Sequence, residues 1–171
     1  MWVLPRSLRL TLPLILLVAG GAQAQDIKRL EGAGDWRAYA FQEKGNPVCY
    51  MVSEPKKDEG NYSRRGDIYL MVTHRPAEKS TDVVNVVAGY DYRTDSEVQV
   101  RVDNDVFDLF THKDTAWAAT EDEDKRLVQA MIKGKTMIVQ GTSSRGTDTK
   151  DTYSLIGFTR AYRSISQACG R

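Results

Sequence analysis

The chain holds only two cysteines, Cys49 and Cys169, and they stand 120 residues apart. What such a pair implies depends on the compartment, and the first residues speak to that. Arg6 and Arg9 make a positive start, Leu10 to Val18 (LTLPLILLV) is a short apolar run broken by Pro13, and Ala22-Gln23-Ala24 supplies the small-x-small pattern that signal peptidase accepts. Residues 1–24 are therefore expected to be a cleaved export signal. The run is shorter than the roughly 20 residues a spanning helix needs, so no transmembrane anchor is expected. No cysteine follows it to carry lipid, and no adjacent Arg pair precedes it. The mature protein should then be periplasmic or secreted. In an oxidising space two cysteines are most simply one disulfide. On the chain-entropy model a loop this long contributes about 4 to 5 kcal/mol. The other reading is a redox pair or a thiolate nucleophile, but neither cysteine lies in a C-x-x-C motif or beside a histidine that would lower its pKa.

Removing 24 residues from 171 leaves 147, enough for one domain with a real core over 25–171 and too few for two ordinary ones. The signal takes two cations with it, leaving 22 Lys plus Arg against 23 Asp plus Glu. That near-neutral balance argues against a nucleic-acid partner, and the 41% apolar content argues against disorder.

Short strand-like runs come first and helical spacing later. Trp36 to Phe41 alternates; Val48 to Val52, Ile68 to Thr73 and Val83 to Ala88 are apolar on both faces, as in strands packed on two sides. Val98, Val100 and Val102 alternate with polar residues, Asp103-Asn104 suits a hairpin turn, and Asp105 to Thr111 would return. Thr136 to Gln140 and Thr149 to Leu155 are further strands. Thr120 with Glu123 reads as a capping box ahead of the stripe Leu127, Val128, Met131 and Ile132, with Gly134 as the stop. In a last helix Phe158, Ala161, Tyr162, Ile165 and Cys169 share a face, which aims Cys169 inward toward the strand carrying Cys49. The pattern is mainly β: an antiparallel β-sandwich with two short helices, or a small barrel. Two polar connections, 53–66 and 143–150, could carry function.

Tests for chemistry return little. Ser143 sits in Gly141-Thr142-Ser143-Ser144-Arg145-Gly146, close to a nucleophile elbow, but Arg145 replaces the second glycine and no histidine follows. Gly134-Lys135-Thr136 leaves a helix for a strand, the reverse of a phosphate loop. The histidines, His74 and His112, are too few and too scattered for a metal site, and Asp103, Asp105 and Asp108 lack the glycine and closing Glu of a calcium loop. No metal or cofactor is expected. Asn61-Tyr62-Ser63 matches the glycosylation triplet. His74-Arg75, at a strand end before Pro76, could bind an anion, though a hydrogen-bonded structural histidine is the plainer role.

Several runs resemble the invasion-associated locus B family of exported bacterial proteins. They are Val48-Cys49-Tyr50-Met51-Val52-Ser53-Glu54-Pro55-Lys56, Tyr69-Leu70-Met71-Val72-Thr73-His74-Arg75-Pro76, Asp114-Thr115-Ala116-Trp117, Gly141 to Thr147, Asp151 to Phe158 and the terminal Cys169. The resemblance implies an immunoglobulin-like β-sandwich, one disulfide, and a periplasmic or outer-membrane-associated location. The family is named for host-cell entry, and it brings no established catalytic residues. Together these readings predict a non-enzymatic envelope or secreted protein whose loops bind an envelope or host-surface protein or polysaccharide. Candidate binding residues are His74, Arg75, Ser143, Ser144 and Arg145. A stress or assembly factor, or a small hydrolase, would be the alternative.

Overall fold

The structure, a computed structural model, describes residues 26–171; the export signal expected over 1–24 lies outside the described residues. In chain order the strands are β1 (Lys28–Arg29), β2 (Arg37–Glu43), β3 (Asn46–Ser53), β4 (Lys57–Gly60), β5 (Tyr69–Arg75), β6 (Ser80–Val87), β7 (Glu97–Val102), β8 (Asp105–His112) and β9 (Thr115–Trp117). Helix α1 (Glu121–Lys133), β10 (Thr136–Thr142), β11 (Asp148–Ser154) and α2 (Phe158–Ala168) complete the chain. All eight expected strands form, with no end displaced by more than three residues. No residue pattern announced β1, β4 or β9. Each is short, and β4 (KDEG) has no apolar face at all.

Hydrogen bonding runs unbroken in the order β1-β2-β3-β5-β6-β9-β8-β7-β10-β11-β4, every neighbour antiparallel. The sheet folds back on itself. Only three residues separate β3 from β4, yet β4 pairs with β11 at the far end of the order. Nearby, Lys56 N donates to Thr152 O at 2.7 Å, and Trp36 Nε1 donates to Ser154 O at 3.0 Å. The result is an open, sandwich-like, mainly antiparallel β fold whose two layers belong to one hydrogen-bonded sheet. Both outermost strands are short and charged, a device that blunts pairing with another chain.

Alternation decides the core. Ala38, Met51, Leu70, Val72, Val84, Val100 and Met137 face inward, where Leu127, Val128 and Met131 of α1 and Phe158, Ala161 and Ile165 of α2 meet them. The burial on both faces read from composition holds in β6, where Val84, Asn85, Val86 and Val87 are all buried. In β3 and β5 the outward apolar residues, Val48 apart, are half-buried and shield one another: Tyr39 of β2 and Tyr50 stack at 5.2 Å, and Phe41 meets Tyr50 edge-on.

The capping box forms at α1. Thr120 Oγ1 accepts from Glu123 N at 3.2 Å, while Glu123 reaches back to accept from Ala119 N. Gly134 ends the helix without left-handed backbone; a Cβ there would come within 2.6 Å of Val102 Cγ1, so its role is to allow close packing. At the other helix Cys169 is joined to Cys49 in a disulfide, with the Cα atoms 6.0 Å apart. The inward aim read from helical spacing is what lets them meet.

Candidate functional site

Three loops converge at one end of the folded sheet. The segment 61–66 follows β4, residues 89–91 follow β6, and the turn 143–147 joins β10 to β11. Together they line a cleft of about 620 Å³. Only part of the long polar connection expected over 53–66 is loop, because β4 occupies its middle. That strand positions the remainder over β11.

Beneath the cleft lies a buried ion pair. Arg65 Nη1 and Nη2 donate to the two Asp151 carboxylate oxygens at 2.7 and 2.6 Å, and Nε donates to Ala88 O at 2.6 Å. Their side chains are 4% and 2% exposed. The Arg65 guanidinium also lies 5.5 Å from the Tyr62 ring centre and 4.9 Å from that of Tyr90, a cation held between two aromatic faces. Both rings are fixed at their hydroxyls, Tyr62 donating to Asp58 at 2.5 Å and Tyr90 sharing a 2.6 Å bond with Thr149 Oγ1. Burial works against the Arg65 charge, but the Asp151 carboxylate outweighs it and holds the guanidinium firmly protonated. Burial likewise lifts the Asp151 carboxyl above its ordinary range, against the pull of Arg65. With two short parallel bonds the pair is ionised.

The backbone shapes the cleft at Gly89. Its φ is +71°, and a Cβ there would stand 2.5 Å from Gly66 O, so only glycine lets the 61–66 segment lie against the turn after β6. Gly66 N donates to Gly89 O at 2.8 Å across that contact. On the other wall, Ser143 Oγ accepts from Thr147 N at 3.1 Å and Ser144 N donates to Asp91 O at 2.7 Å. Ser143 is buried and its hydroxyl is committed to closing the turn, which disposes of it as a nucleophile. Neither histidine lines the cleft.

Of the five candidate binding residues, Ser143, Ser144 and Arg145 are brought together in this cleft, whereas His74 and Arg75 are placed elsewhere. His74 is fully buried beside the disulfide. Its Nδ1 accepts from Asp82 N at 3.0 Å, and Nε2 lies 3.3 Å from Ser166 Oγ. Burial holds its pKa down to about 4, so the ring is neutral. Asp82 in turn accepts from Tyr162 Oη at 2.6 Å and from Arg171 Nη1 at 2.8 Å. This network fastens α2 to the sheet. Arg75 pairs with Glu43 and, at 3.7 Å, with Glu78. Neither residue lines the cleft, and each is engaged in these local contacts.

The sequence reading missed Arg65, Asp151, Tyr62 and Tyr90. One signal was present: in β11 the residues Thr149, Asp151 and Tyr153 alternate inward, and an acid at a core-facing position requires a partner. Among the described residues no group of three or more His, Cys, Asp or Glu side chains is placed to hold a metal ion.

Comparison with known proteins follows the same lines. The sequence profile of the family described as Invasion associated locus B (IalB) protein matches residues 36–166, from the last residue before β2 into α2. Among solved structures the chain is similar to invasion associated protein B from Bartonella henselae, at 20% identity and a TM-score of 0.58, covering 81% of this chain and 95% of that one. At that identity the likeness establishes the fold alone. No curated protein matches the chain, and neither matching description names a catalytic activity. Since the family profile spans most of the molecule, including the strand carrying Cys49 and all three cleft loops with their flanking strands, this protein belongs to the invasion associated locus B family.

Proposed function

We propose that this protein is an exported, non-enzymatic envelope or secreted component that recognises a protein or polysaccharide partner through the cleft formed by residues 61–66, 89–91 and 143–147. The observation that carries the reading is the preorganised cleft floor, where Arg65, paired bidentately with Asp151, lies against two tyrosine rings beneath polar loops. Building a buried ion pair at a surface cleft fixes the geometry of the groups around it, which is what selective binding needs. The disulfide fits an oxidising compartment, and among the described residues no helix is long and apolar enough to cross a membrane. A part in host-cell interaction, as the family's name suggests, belongs to the same proposal.

The hydrolase alternative, which would work through dispersed carboxylates or His74, is not favoured by His74, whose ring is buried in a separate network away from the cleft. Affinity capture from envelope extracts tests the binding reading. Arg145→Ala and Ser144→Ala should each deplete a partner retained by wild type and by Arg101→Ala, an exposed change on β7. Identical capture profiles from all four proteins would refute it.

A further inference from the structure

The cleft lining contains no aliphatic side chain. Protein partners commonly anchor an apolar or aromatic side chain in a desolvated pocket, and hydrocarbon ligands require apolar walls. Here the only such surface is the rings of Tyr62 and Tyr90, and the Arg65 guanidinium lies against both. Asn61, Ser63, Ser144 and Thr147 instead present amide and hydroxyl groups, the complement of a hydroxylated ligand. The charges add a second constraint. Arg64 and Arg145 reach the cleft from two different loops, both are exposed, and neither makes an ion pair among the described residues. Arg65 and Asp151 neutralise each other, which leaves Asp91 as the sole acid set against these two cations in the lining.

We infer that the cleft takes an acidic saccharide, a chain of hydroxylated rings bearing carboxylate or sulfate groups. The inference rests on the proposal that this cleft is the binding site, and it names the ligand chemistry. Arg64 and Arg145 present planar forks suited to carboxylate or sulfate oxygens. Ring hydroxyls would meet the serine and asparagine side chains, over a floor held still by Arg65 and its two tyrosines.

Calorimetric titration tests this with four probes: hexagalacturonate, a heparin hexasaccharide, neutral maltohexaose and a hexaglutamate peptide. Wild type should bind one or both acidic saccharides, more weakly as salt is raised. Arg64→Ala/Arg145→Ala should weaken that binding by at least about tenfold, while Arg101→Ala leaves it unchanged. Both substituted residues are exposed, so thermal melting of the double variant should match wild type. Failure of both acidic saccharides to bind overturns the inference. So does equal binding of maltohexaose, which removes the charge argument, or of hexaglutamate, which removes the saccharide. In those last two cases, binding that still depends on Arg64 and Arg145 preserves the cleft as the site. Binding indifferent to the double substitution removes both readings.

Discussion

His74 and Asp124 are buried groups whose protonation pulls stability in opposite directions. The His74 pKa is held down to about 4 by burial, with Asp82 raising it and Arg171 lowering it. Its unfolded value is near 6.5, so between pH 6.5 and 4 the unfolded chain binds more protons there, and stability falls as pH falls. Asp124, which accepts from Val84 N at 2.8 Å, is pushed up to about 6 by burial, from an ordinary 3.8. Here the folded state binds more protons, and stability rises as pH falls from 6 toward 4. The two therefore oppose each other between pH 6 and 4. Asp124→Asn should therefore expose a steep acid loss in urea titrations over that window, and His74→Asn should turn it into a gain. A second expectation concerns Arg65 and Asp151. Arg65→Met should cost about 3 to 5 kcal/mol by stranding a buried carboxylate, and Arg65→Met/Asp151→Leu should recover much of that loss. The sequence left His74 two roles, an anion-binding candidate and a hydrogen-bonded histidine at a strand end, and its contacts match the second. The sequence could not show that Arg65 meets Asp151, since 86 residues separate them and only the closing of the sheet brings them together.

At the scale of elements, what was legible had a local signature. The capping box, the stripe of α1 and the hairpin at Asp103-Asn104 are set by residues three or four positions apart, and all are present. β4 was not legible because both its faces are wet; it is a strand only through its partner β11. The start of α2 depends on a similar long-range contact. Gly157 has φ +91°, and a Cβ on it would fall 2.0 Å from Ala33 O. Gly157→Ala thus combines a disfavoured backbone conformation with a clash against a main-chain oxygen, and should lower stability by more than about 2 kcal/mol. A drop in melting temperature without change in the cleft's ligand affinity is the expected pattern.

For the whole molecule, the sandwich class followed from the count and spacing of apolar runs, whereas the continuity of its sheet did not. Nothing in a sequence says that the two layers share one hydrogen-bonded order, because the link between β6 and β8 runs through β9, a strand of only three residues. The disulfide ties the end of α2 covalently to β3. Reducing it, or Cys49→Ser/Cys169→Ser, should lower stability by about 4 to 5 kcal/mol, read as a lower urea midpoint. The same pair has a bearing on biogenesis. With two thiols there is a single intramolecular oxidation product, so no wrong pairing has to be undone and no shuffling catalyst is needed. The second thiol is also made only after every strand has been synthesised. Oxidation therefore seals a topology that weaker forces have already selected, and acts as a latch rather than a guide.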